Sequence, residues 1–293
     1  MSLRHLRLFP PLLPTEEPGP DLGDPGSRRR LVLLASALTV LTEISVLLDI
    51  TPTIPMGGLE LSMSVIPALA LGAACGDRLV GRASLRRVAA WYWLGSVGFL
   101  VALLAVFAVD GRLELFAAVL AAALGEELVY RLAVPAVVAV LLSYGGLNHR
   151  KARLAGLAIA GVWFIALPGH HSQMTSGTGP IPFVAYAIFS AALVYRSGSV
   201  LPMAMAHAVV NLVTILVWEE TLPADARVIA ATAVLGMLTL AYGIQRRVAR
   251  DVHGNLIDTV TGLRVVEMEE VEGSVQARLT DGTRIQVGDG EVR

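Results

Sequence analysis

Two adjacent glutamates and an arginine lie inside one of the most apolar stretches of the chain. The segment LGEELVYRLAVP, residues 124–135, carries Glu126, Glu127 and Arg131 among alanine, valine and leucine. Glu127 and Arg131 are four residues apart, so on a helix they would share a face and neutralise each other. Glu126 would project about 100° away from that pair. This pattern leaves Glu126 available as a general base or acid.

Two further segments place polar side chains in apolar surroundings. HAVVN carries His207 and Asn211 four residues apart, so both would project from one helical face. FIALPGHHSQ carries His170 and His171 directly after a Pro-Gly pair that ends a helix. An ionisable side chain at the bilayer centre costs at least about 2.5–3.5 kcal/mol, so polar residues inside a membrane mark candidate functional sites.

These side chains supply the chemical groups that attack by water on a carbonyl carbon requires. A carboxylate aided by histidine would deprotonate the water, and a His/Asn pair would donate hydrogen bonds to the developing oxyanion. The same residue types could instead hold Zn²⁺ with one position open for water. The ligands of such a metal would come from Glu126, His170, His171 and His207. The H-E-x-x-H pattern of soluble zinc proteases is absent, and the sequence does not choose between the two mechanisms.

Two acidic residues and the one cysteine complete the set of reactive side chains in apolar stretches. Glu43 and Asp49 have no cation nearby in sequence, and we expect Glu43 to be a structural or protonated group that faces other helices. The lone Cys75 excludes an intramolecular disulfide and a site with several cysteine ligands. A net charge of -1 gives no basic excess for nucleic acid, which we exclude as a partner.

The composition predicts an all-α polytopic membrane protein that must position these residues in lipid. Of 293 residues, 55% are hydrophobic and 16% charged, whereas soluble domains average about 25% charged residues. Eight apolar stretches approach the length that crosses a bilayer, about 20 residues. They cover residues 31–50, 61–77, 89–109, 114–143, 154–169, 181–196, 199–218 and 226–244.

The connections between these stretches predict the orientation. Arginine and lysine cluster before the first stretch and in every second connection after it, for example at Arg82 and Lys151, while the alternate loops hold almost none. The positive-inside rule then puts both termini in the cytoplasm. The dominance of arginine over lysine and the abundance of alanine indicate a bacterial source, so we expect the bacterial inner (cytoplasmic) membrane.

The chain divides into three predicted parts. Residues 1–30 are rich in proline, glycine and charge and form a flexible leader, and residues 31–250 form the transmembrane domain. Residues 251–293 alternate polar with β-branched residues and predict a small β-rich cytoplasmic tail. Within that tail, Asp281-Gly282 between VQARL and TRIQV is a hairpin signal.

The two helical motifs together resemble a known family. EELVYR matches E-E-x-x-x-R and HAVVN matches H-x-x-x-N, in that order and separated by a further His-bearing helix. This arrangement is similar to the CPBP family of intramembrane proteases (CAAX-protease and bacteriocin-processing, also called Abi), to which the Ras-converting CAAX endopeptidase of eukaryotes belongs. The resemblance covers residues 114–218 as the core.

The resemblance implies roles for individual residues. Glu126 would activate the catalytic water, Glu127 and Arg131 would support it, and His207 with Asn211 would form the oxyanion site. Members are commonly labelled metalloproteases, although a metal-free glutamate mechanism has been argued for the CAAX enzyme. The cofactor is therefore either Zn²⁺ or none.

The family's middle motif, F-x-x-x-H, departs from its usual spacing in this chain. Pro168 stands four residues after Phe164, where the family has histidine. Either His170 after Ala166 or His171 after Leu167 takes the role, or the Pro-Gly pair shifts the helix end. The sequence leaves these alternatives open.

The leading functional prediction is an intramembrane endopeptidase that cuts a membrane-anchored or membrane-associated peptide or protein within membrane lipid. Bacteriocin-like peptides and C-terminal sorting tails are the favoured substrate types. The alternative is a non-enzymatic immunity or scaffold protein, or a small transporter that uses the Glu/His set as a proton relay. A transporter would usually show paired broken helices in two related halves, and the sequence shows no such symmetry.

Overall fold

The computed structural model of the chain describes residues 25–76, 79, 90–168, 170, 181–243, 248–250, 255–258, 263–271 and 274–287. The leader up to residue 24, His171 and residues 172–180 lie outside these ranges. The predictions made for them stay predictions.

Helices account for most of the described part of the chain. Nine α-helices occur in it: α1 Pro25–Leu47, α2 Val65–Cys75, α3 Ala90–Val109, α4 Leu113–Leu128, α5 Val134–Tyr144, α6 His149–Ile165, α7 Ile181–Ser197, α8 Leu201–Trp218 and α9 Ala226–Leu238. Each of the eight predicted apolar stretches overlaps at least one of them, and the stretch 114–143 overlaps α4 and α5. The helical class of the protein is confirmed.

The number of membrane spans is confirmed only in part. Four helical segments in the described residues are long and apolar enough to cross a membrane: Arg30–Leu47, Tyr92–Val109, Leu113–Tyr144 and Leu201–Trp218. Shorter apolar helices fill three other predicted stretches, at Val65–Cys75, Val184–Tyr195 and Ala226–Ala241. A count of eight spans therefore stays a prediction.

A π-helical turn joins α4 to α5 at Val129–Ala133, in the middle of the longest apolar segment. Pro135 has no backbone N–H to donate to the carbonyl one turn earlier, which interrupts the regular ladder. The N–H of Val134 instead reaches five residues back to the carbonyl of Val129. Such widened turns occur frequently at functional sites, and this one carries Arg131.

Two glycines let neighbouring helices approach closely around this segment. A Cβ atom on Gly125 in α4 would lie 2.9 Å from a methyl carbon of Val65 at the start of α2. A Cβ atom on Gly156 in α6 would lie 2.7 Å from the backbone oxygen of Pro135 in α5. Both contacts are shorter than a carbon side chain tolerates, so the lack of a side chain sets the helix spacing at these two points.

The helices share one hydrophobic core. It includes buried side chains from all nine helices, among them Phe107, Leu128, Phe164, Leu212 and Leu238. α8 packs along α4, while α7 packs against α6 and contacts the π-helical turn. The helices that carry the predicted site residues are therefore neighbours.

A short β-hairpin connects α1 to α2. Strands β1 (Ile54–Met56) and β2 (Leu59–Leu61) are antiparallel, and the turn between them rests on the start of α4. Gly57 in this turn has φ 57°, and its N–H donates to the Glu114 carboxylate at 3.0 Å. The positive φ and the backbone of Leu115 beside it leave no room for a side chain at this position.

The C-terminal residues form small antiparallel sheets, which confirms a β-rich end of the chain. β3 (Val248–Arg250) pairs with β4 (Leu256–Asp258), and β5 (Val265–Val271), β6 (Ser274–Leu279) and β7 (Arg284–Val287) form a three-stranded sheet. β6 and β7 flank Asp281-Gly282, where Gly282 has φ 83°, as the hairpin signal predicts. Strand structure begins at Val248, three residues before the predicted boundary, and Val248 shares a separate small core with Ala277 and Leu279.

Candidate active site

Glu127 is the centre of a buried polar cluster at the end of α4. Its Oε1 accepts a hydrogen bond from the Tyr186 hydroxyl at 2.7 Å and lies 3.1 Å from Nδ1 of His207. Its Oε2 lies 3.6 Å from Nε of Arg131, one turn further along the chain. Glu127 and Arg131 are each 1% exposed, so this carboxylate is held from three sides without contact with lipid or solvent.

Arg131 links the cluster to two other helices. Its Nε donates to the Ser190 hydroxyl at 2.8 Å, and its Nη1 lies 3.3 Å from the backbone oxygen of Tyr130. The guanidinium carbon lies 5.2 Å from the centre of the Phe164 ring, in the arrangement of a cation–π contact. These contacts fix the arginine in one place. Movement away from Glu127 would leave a buried charge without its partner, which is costly.

His207 lies between the two glutamates. Its Nδ1 is 3.1 Å from Glu127, and its Nε2 is 3.9 Å from Oε2 of Glu126. The short contact assigns the Nδ1 proton to the hydrogen bond with Glu127. Nε2 consequently points towards Glu126 and the space beside it.

Glu126 differs from Glu127 in having no fixed partner. Its side chain is 34% exposed, whereas that of Glu127 is 1% exposed. Its Oε2 is nevertheless buried, and it has no hydrogen-bond partner among the residues that the structure describes. Glu127 is thus fixed by its neighbours and Glu126 is not, and the catalytic role of Glu126 stays a prediction.

The middle histidine reaches the cluster through a shifted helix end. α6 stops at Ile165, and the chain turns back so that Nδ1 of His170 lies 2.8 Å from the backbone oxygen of Phe164. The two rings meet edge to face with their centres 4.7 Å apart. Phe164 and His170 are therefore in contact although their spacing is not F-x-x-x-H, and His171 lies outside the described residues.

Burial lowers the pKa of His170, and the neighbouring charge of His207 acts in the same direction. The carbonyl of Phe164 opposes this shift, but the burial effect is larger. His170 follows α6 and lies outside the candidate spans. Both effects, burial and the charge of His207, favour the neutral imidazole over its charged form.

Asn211 follows His207 by one turn of α8, on the same helical face. Its side chain is partly exposed and is bonded to none of the residues that the structure describes. The amide is thus free to donate to a bound group. The predicted site residues that the structure describes therefore lie in three places: in α4 with its π-helical turn, in α8, and in the turn that follows α6.

Sequence reasoning missed two hydroxyl side chains that complete the cluster, and it named Phe164 only as part of the middle motif. Tyr186 donates to Glu127 and its ring centre lies 5.2 Å from that of His207. Ser190, one turn later on α7, accepts from Arg131. Phe164 contacts the rings of Tyr130, Tyr186 and both described site histidines. The available signal was the Tyr186/Ser190 spacing of four in an otherwise apolar helix.

The described residues do not fit a metal centre. In that part of the chain no group of three His, Cys, Asp or Glu side chains is placed to hold an ion. Glu127 already engages Arg131, Tyr186 and His207, which leaves Glu126 and Nε2 of His207 as a pair. Structural and catalytic zinc sites use at least three protein ligands.

The fold and this site define a class of protein: a helical membrane protein with a carboxylate and an imidazole poised beside each other inside the bundle. Residues 108–213, about a third of the chain, match the family model described as Type II CAAX prenyl endopeptidase, Rce1-like. The match confirms the resemblance that the two helical motifs indicate. It begins before α4, ends within α8 and includes the whole cluster. No curated protein matches the chain, and no solved structure does.

Proposed function

We propose that this protein is an intramembrane endopeptidase that hydrolyses a peptide bond of a membrane-associated peptide or protein. The family match supports a membrane protease, and the site supplies the groups that hydrolysis needs. The observation that carries the proposal is the geometry around His207. One of its nitrogens is held by Glu127 at 3.1 Å, and the other faces the available carboxylate of Glu126 at 3.9 Å.

In this mechanism Glu126 removes a proton from a water molecule, and the resulting hydroxide attacks the carbonyl carbon of the scissile bond. The carbonyl electrons move to oxygen, where Asn211 and a doubly protonated His207, through Nε2–H, donate hydrogen bonds to the oxyanion. When the tetrahedral intermediate collapses, the C–N bond breaks. The proton held by Glu126 passes to the leaving amine, which restores the carboxylate.

Glu127 has the role of orienting His207. Its Oε1 accepts a hydrogen bond from Nδ1–H of His207, and Tyr186 and Arg131 keep that carboxylate from turning away. A carboxylate that holds an imidazole by Nδ1 fixes the direction of Nε2, as in other catalytic His–carboxylate pairs. His170, in the neutral form that burial favours and bonded to Phe164, closes the cluster on the side of α6.

The proposal also includes the setting in which cleavage occurs. The protein spans the bacterial inner membrane with both termini in the cytoplasm, and its substrate reaches the site through membrane lipid. The distribution of arginine and lysine between the helices supports this orientation.

Co-expression with candidate membrane-anchored substrates tests the activity. Glu126→Gln should abolish processing, while Glu114→Gln, an exposed glutamate on the same helix, should process like the wild type. Processing that persists in Glu126→Gln would contradict the proposed mechanism, whereas wild-type protein that processes none of the substrates would favour the non-enzymatic alternative.

Chelation tests the metal question separately. Purified protein treated with a chelator should keep its activity, because the described residues offer no complete ligand set. Loss of activity on chelation and its return with Zn²⁺ would contradict the metal-free mechanism and leave the proteolytic activity standing.

A further inference from the structure

A second buried carboxylate contacts the segment that carries the site, and it comes from outside the residues that match the family model. Glu43 lies in α1, is 6% exposed and belongs to the part of the chain before residue 108. Its Oε1 accepts a hydrogen bond from the Tyr130 hydroxyl at 2.6 Å. Its Oε2 accepts from Ser62 at 2.8 Å and from Ser64.

Among the residues that the structure describes, the partners of Glu43 are all hydroxyl groups, and none of them is a cation. A carboxylate buried in this way carries a cost that an apolar side chain would avoid. Three donors on two oxygens satisfy it, and two of them, Ser62 and Ser64, lie between β2 and the start of α2. The connection between the hairpin and α2 therefore holds Glu43 in position to accept the hydrogen bond from the Tyr130 hydroxyl.

Tyr130 is the residue through which this contact reaches the site. It is the second residue of the π-helical turn, and its backbone oxygen lies 3.3 Å from Nη1 of Arg131. Its ring packs against Phe164 with centres 5.6 Å apart. A continuous series of contacts thus runs from Glu43 through Tyr130 and Arg131 to Glu127, and from there to His207.

We propose that Glu43 is a positioning residue of this active site, whose hydrogen bond to Tyr130 fixes the π-helical turn and so the orientation of Arg131, Glu127 and His207. The inference rests on the proposed function. In this widened turn, the hydrogen bond from Tyr130 to Glu43 ties the backbone segment that carries Arg131 to α1. α1 and the hairpin are then part of the working enzyme and do more than complete the bundle.

The test compares four variants in liposomes with a processed substrate: Glu43→Ala, Glu43→Gln, Tyr130→Phe and the double variant Glu43→Ala/Tyr130→Phe. Glu43→Ala and Tyr130→Phe should each lower kcat between about tenfold and about a hundredfold with KM unchanged, since small displacements of catalytic groups have effects of this size. The double variant should lose no more than either single one. Glu43→Gln should keep most of the kcat, because its amide oxygen still accepts from Tyr130.

The control is Asp49→Asn, an exposed acidic residue just after the same helix, which should match the wild type. Tyr130→Phe retains the aromatic packing, so its fold is preserved even if Glu43→Ala unfolds. Unchanged kcat per folded molecule in Tyr130→Phe, or additive losses in the double variant, would overturn the positioning role.

Glu126→Gln, measured in parallel, separates this inference from the function on which it rests. If Glu126→Gln is inactive and Tyr130→Phe keeps full kcat, the endopeptidase stands and the role of Glu43 falls. If Glu126→Gln is active, the proposed mechanism falls, and the positioning role falls with it.

Discussion

At the scale of single residues, the two neighbouring glutamates differ in their contacts. Within the described part of the chain, Oε2 of each glutamate lacks a hydrogen-bond partner, but Glu127 is held through Oε1 by Tyr186 and His207 and lies 3.6 Å from Arg131. A carboxylate with fixed partners orients other groups, and one without them is available to take a proton from water. His207 lies between the two carboxylates and contacts both.

Replacement of Tyr186 by phenylalanine tests whether Glu127 orients His207. The variant loses the 2.7 Å hydrogen bond to Glu127, so His207 is less well oriented. We expect kcat to fall about tenfold with KM nearly unchanged, since orientation is lost and substrate contact is not. The free energy of unfolding should fall by about 1–3 kcal/mol. Tyr144→Phe, at a tyrosine that is 68% exposed, is the control and should change neither value.

The lowered pKa of His170 predicts a dependence of stability on pH. In the unfolded chain its pKa is ordinary, about 6.5, so acid protonates the unfolded state first. Stability should therefore be lost as the pH falls below that value. Thermal unfolding at pH 7.5 and pH 5.5 should show a larger decrease in Tm for the wild type than for His170→Gln. Equal decreases would show that His170 is not the group responsible.

The sequence predicted the residue types of the site better than their partners. The spacing of Glu127 and Arg131, and of His207 and Asn211, follows from helical periodicity alone. The hydrogen bond from His207 to Glu127 does not, because it depends on how α8 lies against α4. The contact of His170 with Phe164 depends on the turn after Ile165, whose geometry the sequence around Pro168 leaves open.

At the scale of elements, a widened turn and two glycines determine how the helices carry these side chains. Pro135 interrupts the ladder between α4 and α5, and the π-helical turn places Arg131 beside Glu127. The missing side chain of Gly156 lets α6, which carries Phe164 in its last turn, lie against the backbone of Pro135. Helical periodicity predicted the helices, but neither the π-helical turn nor these close approaches could be predicted without their tertiary partners.

Gly156→Ala tests the close approach. Its added Cβ atom would meet backbone oxygen at 2.7 Å, and backbone cannot turn aside as a flexible side chain can. We expect a loss of about 1–3 kcal/mol in the free energy of unfolding. Gly98→Ala in α3, where a Cβ atom meets nothing within 4 Å, is the matched control and should be neutral or stabilising. Thermal unfolding in detergent compares the two, and equal stability would contradict the packing described.

At the scale of the whole molecule, the site connects helices that are distant in sequence, and an ion pair links two of them, α4 and α8. Arg112, just before α4, forms a two-pronged pair with Glu219 at the end of α8, and its guanidinium lies 5.0 Å from the Phe107 ring centre. The helix of the glutamates and that of His207 and Asn211 are thereby joined at one end. An exposed pair of this kind contributes at most about 1 kcal/mol to the free energy of unfolding. Its main effect is therefore to align the two helices.

Cysteine labelling tests the orientation of the whole chain. Glu60→Cys in the β1–β2 hairpin should react with a membrane-impermeant maleimide in intact cells, because the hairpin is predicted outside the cytoplasm. Glu270→Cys in β5 should react only after lysis. Both positions are exposed, and the native Cys75 is buried, which keeps the background low. The opposite pattern would reverse the orientation.

The central claim is that Glu126 activates water for peptide-bond hydrolysis inside the membrane. Its most direct test is the turnover of a membrane-anchored peptide by purified protein in liposomes, with the new termini identified by mass spectrometry. We predict that Glu126→Gln, folded as judged by its Tm, lowers kcat by at least about a hundredfold, the range that a general base contributes. Glu114→Gln should equal the wild type. A Glu126→Gln variant that cuts at the same bond with undiminished kcat would contradict the account.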